Sequence, residues 1–192
     1  MLRLVLRRLP LGFLVACTAA CGPIANFRPA SGLMPDRSLE VGTGVARVSP
    51  RPYVDEEPAT AGQVWVTGEV GDHRMALSAV SAFDDDAIGV GGALRVNAIR
   101  ADRFAGGVEA ELGYGWFSLS LPMALRLVDQ SFFYVGPRLF NWSLDPGFGI
   151  PVGLSVRVYD GFILRAEWQR SWQGFKYYNR RDHLGAAAAY QF

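Results

Sequence analysis

The amino-acid sequence predicts an all-β protein: an antiparallel up-and-down β-barrel of about ten strands, with eight also compatible, whose apolar side chains face outward. Three observations lead there. Apolar residues alternate with small or polar ones through most of the chain from Leu39 onward. The alternating segments run to roughly nine to twelve residues, about twice the usual globular strand. Half of the 192 residues are hydrophobic and only 19% are charged, yet beyond the first twenty no apolar run reaches the roughly 18 residues of a membrane helix.

The first twenty residues read as an address. Met1–Arg8 carries Arg3, Arg7 and Arg8, Leu9–Ala20 is short and apolar, and small residues precede Cys21. Basic, apolar and small-residue regions in that order are the layout of a cleavable signal peptide over 1–20. Thr18-Ala19-Ala20-Cys21 is similar to a bacterial lipobox, which implies lipid attachment at Cys21. Leu14-Val15-Ala16-Cys17 matches that pattern more closely but leaves only about six apolar residues before it. An ordinary secretory signal with two incidental cysteines is the plainer alternative. No cysteine follows position 21, so the exported chain has no disulfide framework. Residues 21–38 mix Pro, Gly and polar side chains without periodicity and read as a lipid-anchored flexible linker ahead of a barrel over 39–192.

The strand candidates are about 39–48, 62–70, 74–83, 88–99, 104–115, 117–127, 131–140, 150–158, 163–171 and 183–192. Val108-Glu109-Ala110-Glu111-Leu112-Gly113-Tyr114-Gly115-Trp116 is the clearest, with Val, Ala, Leu, Tyr and Trp on one face and Glu and Gly on the other. In the next segment Phe117, Leu119, Leu121, Met123, Leu125 and Leu127 form the apolar face. Farther on, Val152, Leu154, Val156 and Val158 oppose Gly153, Ser155 and Arg157. Connections alternate between tight turns at 71–73, 101–103, 128–130 and 160–162 and longer loops at 49–61, 84–87, 141–149 and 172–182; only Gly115-Trp116 is short among the latter. A three-residue turn at 101–103 sets Arg95 opposite Glu109, and one at 160–162 keeps Arg157 and Arg165 on the same face. An even strand count returns the C-terminus to the N-terminal side.

Alternation alone does not decide which face is inside, because turning a barrel inside out preserves the pattern. The polar face is rich in Gly, Ala and Ser, and the chain's single Lys is Lys176. Its charges balance, with Glu40, Glu69, Glu109, Glu111 and Glu167 against Arg95, Arg126, Arg138, Arg157 and Arg165. Buried charges must be paired, so this set reads as a salt-bridged, occluded lumen. Aromatics gather at the strand ends. Trp116, Trp142, Trp168, Trp172, Phe175, Tyr177 and Tyr178 lie toward the long loops, and Phe104, Phe132, Phe133, Tyr159, Phe162, Tyr190 and Phe192 toward the tight turns. Two belts imply two membrane interfaces.

The last residues carry a resemblance. Leu184, Ala186, Ala188, Tyr190 and Phe192 alternate with Gly185, Ala187, Ala189 and Gln191 to the end of the chain. This resembles the β-signal of outer-membrane proteins, with aromatics at the last and third-last positions, and departs from it at Ala187, where the pattern usually has Gly. The likeness to small outer-membrane β-barrel proteins spans 39–192. It implies a bacterial outer membrane as the location, tight turns and an anchored N-terminus on the periplasmic side, the barrel-assembly machinery as a partner, and a narrow lumen filled by side chains.

Little in the chain points to chemistry. There is no G-x-S-x-G, phosphate loop or H-E-x-x-H, so no catalytic residue or cofactor is expected. His73 and His183 are the only imidazoles, too few and too distant for zinc, and Asp84-Asp85-Asp86 lacks the spacing of a calcium loop. A net charge of +1, falling to −2 without Arg3, Arg7 and Arg8, gives no footprint for nucleic acid. At the outer rim Lys176, Arg180 and Arg181 are candidates for contact with lipopolysaccharide phosphates. The expectation is therefore a monomeric outer-membrane lipoprotein with a structural or surface-interaction role. A soluble lipocalin-like carrier of an apolar ligand is the alternative. A third, lesser reading is a lipid A-modifying enzyme, for which Ser171 is the serine nearest to His183 on an adjoining strand.

Overall fold

The computed structural model describes residues 27–28, 38–53, 55–71, 75–84, 88–113, 116–142, 145–174 and 179–192. The signal peptide, Cys17, Cys21, most of the 21–38 segment, His73 and Lys176 lie outside the described residues. Twelve strands follow one another: β1 (Leu39–Val48), β2 (Ala59–Val70), β3 (Met75–Asp84), β4 (Ile88–Arg100), β5 (Phe104–Gly113), β6 (Trp116–Ser120), β7 (Met123–Val128), β8 (Ser131–Val135), β9 (Arg138–Trp142), β10 (Asp145–Tyr159), β11 (Phe162–Gln173) and β12 (Arg180–Gln191). Every pairing is antiparallel, and β12 returns to β1 from Glu40 opposite Gln191 to Val48 opposite His183, which closes the sheet.

The twelve segments make ten barrel strands, because β6 with β7 and β8 with β9 are each one strand interrupted by proline. Pro122 stands between β6 and β7, and Gly136-Pro137 between β8 and β9. Proline donates no hydrogen bond, so a ladder that meets it loses a rung. The remaining groups bridge the gap: Leu121 N–H donates to the Pro137 carbonyl at 2.9 Å, Gly107 N–H to that of Pro122 at 3.0 Å and Gly136 N–H to that of Pro151 at 3.1 Å. β5 thus pairs with both β6 and β7, and β10 with both β8 and β9.

Turn geometry differs from the sequence expectation, although the faces are preserved. Arg95 stands opposite Glu109, but Ile99 stands opposite Gly106, so a β-bulge after Asn97 supplies the residue assigned to the turn. At 160–161 the turn has two residues, with Gly161 at φ +74°, and a bulge between Arg157 and Tyr159 restores parity. Arg165 therefore faces Ser155 rather than Arg157. A third bulge lies between Arg126 and Val128. A bulge inserts one unpaired residue and tightens the local twist, which lets a short turn keep inward residues inward. The expected 141–149 loop is mostly strand, since Asp145 pairs with Trp142 and Gly149 with Arg138. The long connections that remain are 49–58, between β1 and β2, and 174–179, between β11 and β12.

The apolar face points out. Leu112 is 69% exposed and Leu184 67%, whereas Glu109, Glu111 and Arg95 on the opposite face are each 1% exposed. Along β11, Phe162, Leu164, Ala166 and Trp168 are exposed and alternate with buried Ile163, Arg165, Glu167 and Gln169. Phe175, Tyr177 and Tyr178 lie outside the described residues, and most of the described end aromatics join the outer face: Trp172 stacks on Phe148 at 6.0 Å, and Tyr190 meets Phe192 edge-on at 4.8 Å. Trp116 and Phe132 do not. Both are buried in the lumen, at parity with Ser118 and Tyr134.

Closure gives every strand two partners, so backbone amides of β1 and β12 should exchange with solvent as slowly as those of β4 and β5. Rapid exchange at every second residue of β1 or β12 would reveal an open edge.

Candidate functional site in the barrel lumen

Strand alternation brings charged side chains of eight of the segments to one interior, and closure buries most of them away from bulk water. Glu109 takes both Nε and Nη2 of Arg95 on its Oε2, at 3.0 and 2.7 Å. Across the lumen Glu40 receives Arg165 in bidentate fashion, at 2.8 and 2.7 Å, together with Trp65 Nε1 at 2.9 Å and Gln191 Nε2 at 2.8 Å. Glu167 accepts from the Tyr134 hydroxyl at 3.1 Å and Glu111 from Trp116 Nε1 at 3.1 Å. Arg138 is buried beside them, with its guanidinium 5.7 Å from the Phe140 ring centre. Bidentate and charge-assisted bonds of this kind are what makes a desolvated charge tolerable.

The ten charged residues read from the sequence divide into two groups. Glu109, Glu111, Glu167, Arg95, Arg138 and Arg165 are deeply buried, and the Glu40 side chain is 12% exposed. Glu69, Arg126 and Arg157 face the same lumen nearer the tight-turn rim and are half-buried. There Arg126 lies over Phe132 at 5.7 Å and Arg157 donates to Gln191 Oε1 at 3.3 Å. The deep group on the strands thus holds four carboxylates against three guanidiniums.

The fourth cation comes from outside the strands. Phe27 and Arg28, within the segment expected to be a linker, lie inside the barrel at 0% and 3% exposure. Arg28 Nη2 donates to Glu111 Oε2 at 2.6 Å and stands 3.3 Å from Glu109 Oε1. The backbone is held as well: the Phe27 carbonyl accepts from Arg165 Nη1 at 3.0 Å and the Arg28 carbonyl from Arg95 Nη2 at 3.3 Å. The Phe27 ring stacks on Trp65 at 6.3 Å. Its seat exists because Gly44 and Gly185 carry no side chain; a Cβ at either would come within 2.6 or 2.7 Å of the ring. This part of the linker is therefore a plug.

Near the opposite rim the 49–58 connection is stapled to the first residues of β12. Arg181 Nη2 donates to Glu56 Oε1 at 2.7 Å, Arg51 Nε to Glu56 Oε2 at 3.3 Å, and Asp182 N–H to Ser49 Oγ at 2.8 Å. Arg181, expected to reach lipopolysaccharide, turns instead to this loop. Arg180 is half-exposed on β12, and Arg170 pairs with Asp182 at 2.7 Å beside Trp168. Partial burial pushes the Glu56 carboxyl up, but the Arg51 backbone N–H and the Arg181 and Arg51 guanidiniums outweigh it and hold the group below its ordinary range.

Ser171 Oγ and His183 Nε2 do meet, at 3.0 Å. Both are buried in the lumen rather than turned to the outer surface, and His183 Nδ1 has no hydrogen-bond partner among the described residues. A serine–histidine couple without an acid to orient the ring lacks the third part of a nucleophile relay.

No family model matches the chain, and no curated protein sequence does. Its fold is similar to that of the translocator domain of the autotransporter NalP from Neisseria meningitidis, with a TM-score of 0.54 at 10% identity over 85% of this chain and 92% of that one. It is also similar to the NanC porin, with a TM-score of 0.52 at 8% identity over 81% of this chain and all of that one. The architecture is that of outer-membrane β-barrels.

Two outcomes follow from the charges. Glu109→Ala strands Arg95 and weakens the hold on Arg28, so refolding equilibria in detergent should show a loss of about 3–5 kcal/mol; a loss under about 1 kcal/mol would mean that water screens this face. Because the folded Glu56 value is depressed, its contribution is present above the ordinary carboxylate range and disappears as pH falls through the folded value. Proteolysis within 49–58 should rise on acidification, and Glu56→Gln should abolish that rise.

Proposed function

We propose that this chain is a bacterial outer-membrane barrel whose lumen is closed by its own N-terminal segment, with a structural or surface-interaction role at its long-loop rim and no wide pore. The observation that carries the proposal is the Phe27–Arg28 plug, seated among paired charges at the middle of a narrow barrel. The outward apolar face and the ten-strand architecture support the membrane assignment. Tight turns of two to four residues at one rim favour that rim as the periplasmic one, with Cys21 as the lipid attachment point on the same side.

A lipocalin-like carrier would need an apolar interior, and this interior is lined by Glu40, Glu109, Glu111, Arg95 and Arg165. Lipid A modification would need reactive groups turned to the lipid face, whereas Ser171 and His183 turn away from it. The chain is accordingly read as a non-enzyme. The interaction surface is the 49–58 connection with the adjoining start of β12, where half-exposed Arg180 is a candidate to meet lipopolysaccharide phosphates.

The test is fractionation combined with electrophoresis and bilayer recording. The protein should remain with outer membranes until detergent is added, migrate faster unheated than boiled, and leave a planar bilayer without steady conductance. Release as a soluble protein after Cys21→Ala would contradict the membrane assignment, and steady large conductance would contradict closure. Leu154→Arg, on the outer face of β10, should destabilise the folded barrel by about 2–4 kcal/mol in lipid.

A further inference from the structure

Arg28 is held differently from the arginines of the wall. Arg95 and Arg165 each engage a carboxylate through two nitrogens, whereas Arg28 does so through Nη2 alone, and among the described residues its Nε and Nη1 have no hydrogen-bond partner although the residue is 3% exposed. It also stands on no strand, so no ladder of backbone bonds fixes it. Its neighbour Phe27 fills a seat walled by Gly44, Trp65 and Gly185, which stand on β1, β2 and β12 and are held by those strands' own ladders. Without Arg28, the strands keep their own bonds: Glu109 retains Arg95, Glu40 retains Arg165, and Glu111 retains the Trp116 indole. What changes is the charge. Four deep carboxylates then face three guanidiniums, and the two that lose a cation are Glu109 and Glu111.

From this geometry we infer that Glu109 and Glu111 form a lumenal cation site for which Arg28 is a tethered, removable ligand, and that its withdrawal opens a narrow path preferring cations. The inference rests on the closed-lumen reading above and deepens it. A pair of carboxylates in a constriction with low-dielectric walls concentrates cations and repels anions, the same physics that sets selectivity in acidic pore rings. The class of ligand is a monovalent cation or a guanidinium, because the site already accommodates the latter. Phe27 supplies the steric part of the closure and Arg28 the electrostatic part, so removing both acts more strongly than removing either.

The experiment is single-channel recording of the full-length chain in planar bilayers under a potassium chloride gradient. Wild type is expected to be silent. Phe27→Ala/Arg28→Ala is expected to give discrete openings whose reversal potential shifts toward that of potassium. Adding Glu111→Gln to that pair, which restores charge balance and guards against a folding defect, is expected to keep the openings and remove the shift. Heat-modifiable mobility certifies that each variant is folded. Openings that persist in the double variant without cation preference would overturn the carboxylate site. A silent, folded double variant beside a silent wild type would overturn the latch alone, and a conducting wild type would overturn the closed-lumen reading beneath it.

Discussion

A charge enclosed in a closed barrel has to find its partner within reach, and the pairing of Arg28 with Glu109 and Glu111 is where the rest of the structure meets that constraint. Desolvating an ion costs several kcal/mol unless geometry returns it, so the lumen is organised around carboxylates that each hold a hydrogen-bond donor. Glu40 gathers Arg165, Trp65 and Gln191; Glu109 gathers Arg95; Glu167 holds Tyr134. Among the described residues Arg28 is the one deep charge that does not belong to a strand. It joins two carboxylates on β5, and its carbonyl and that of Phe27 reach guanidiniums on β4 and β11. A segment of the chain that has no ladder of its own is thereby tied to both walls.

The small residues follow from the same closure. Gly42, Gly44 and Ala46 on β1 face inward beside Ala189, Ala187 and Gly185 on β12, a shallow stretch of wall where two strands contribute almost no side-chain volume. Interiors pack to crystal-like density, so such a stretch calls for a filler. Trp65 lies against Gly42, and Phe27 lies against Gly44 and Gly185. The prolines shape the opposite wall. Pro122 and Pro137 interrupt adjacent strands where carbonyls across the gap still find donors, so the wall stays bonded through both interruptions.

Most of this was legible in the sequence because strand geometry has a period of two. Val108–Leu112 declares its faces in five residues, and the same rule sorts Arg95, Glu109, Arg165 and Glu167 to the inside. Parity also placed Arg95 opposite Glu109, because two errors cancelled: the turn is shorter than expected and the bulge after Asn97 restores the offset. At Arg157 the cancellation kept the face but moved the partner by two residues. Bulges escape pattern reading because they leave the alternation intact on both sides. Trp116 and Phe132 were misassigned to the outer belts because they lie at strand ends, where aromatic content alone does not reveal direction. Phe27 and Arg28 were missed because their segment has no periodicity. Two signals did point to them: the run of Gly and Ala facing itself across β1 and β12, and the imbalance that remains once Glu69, Arg126 and Arg157 are recognised as rim residues.

Nuclear magnetic resonance of the detergent-solubilised protein tests directly whether Phe27 and Arg28 occupy the lumen of the folded barrel. The predicted result is a set of cross-relaxation peaks from the Phe27 ring protons to the α-protons of Gly44 and Gly185, with the ring resonances shifted by the Trp65 indole. Narrow Phe27 signals at unfolded-chain positions, with no transfer to either glycine, would contradict it.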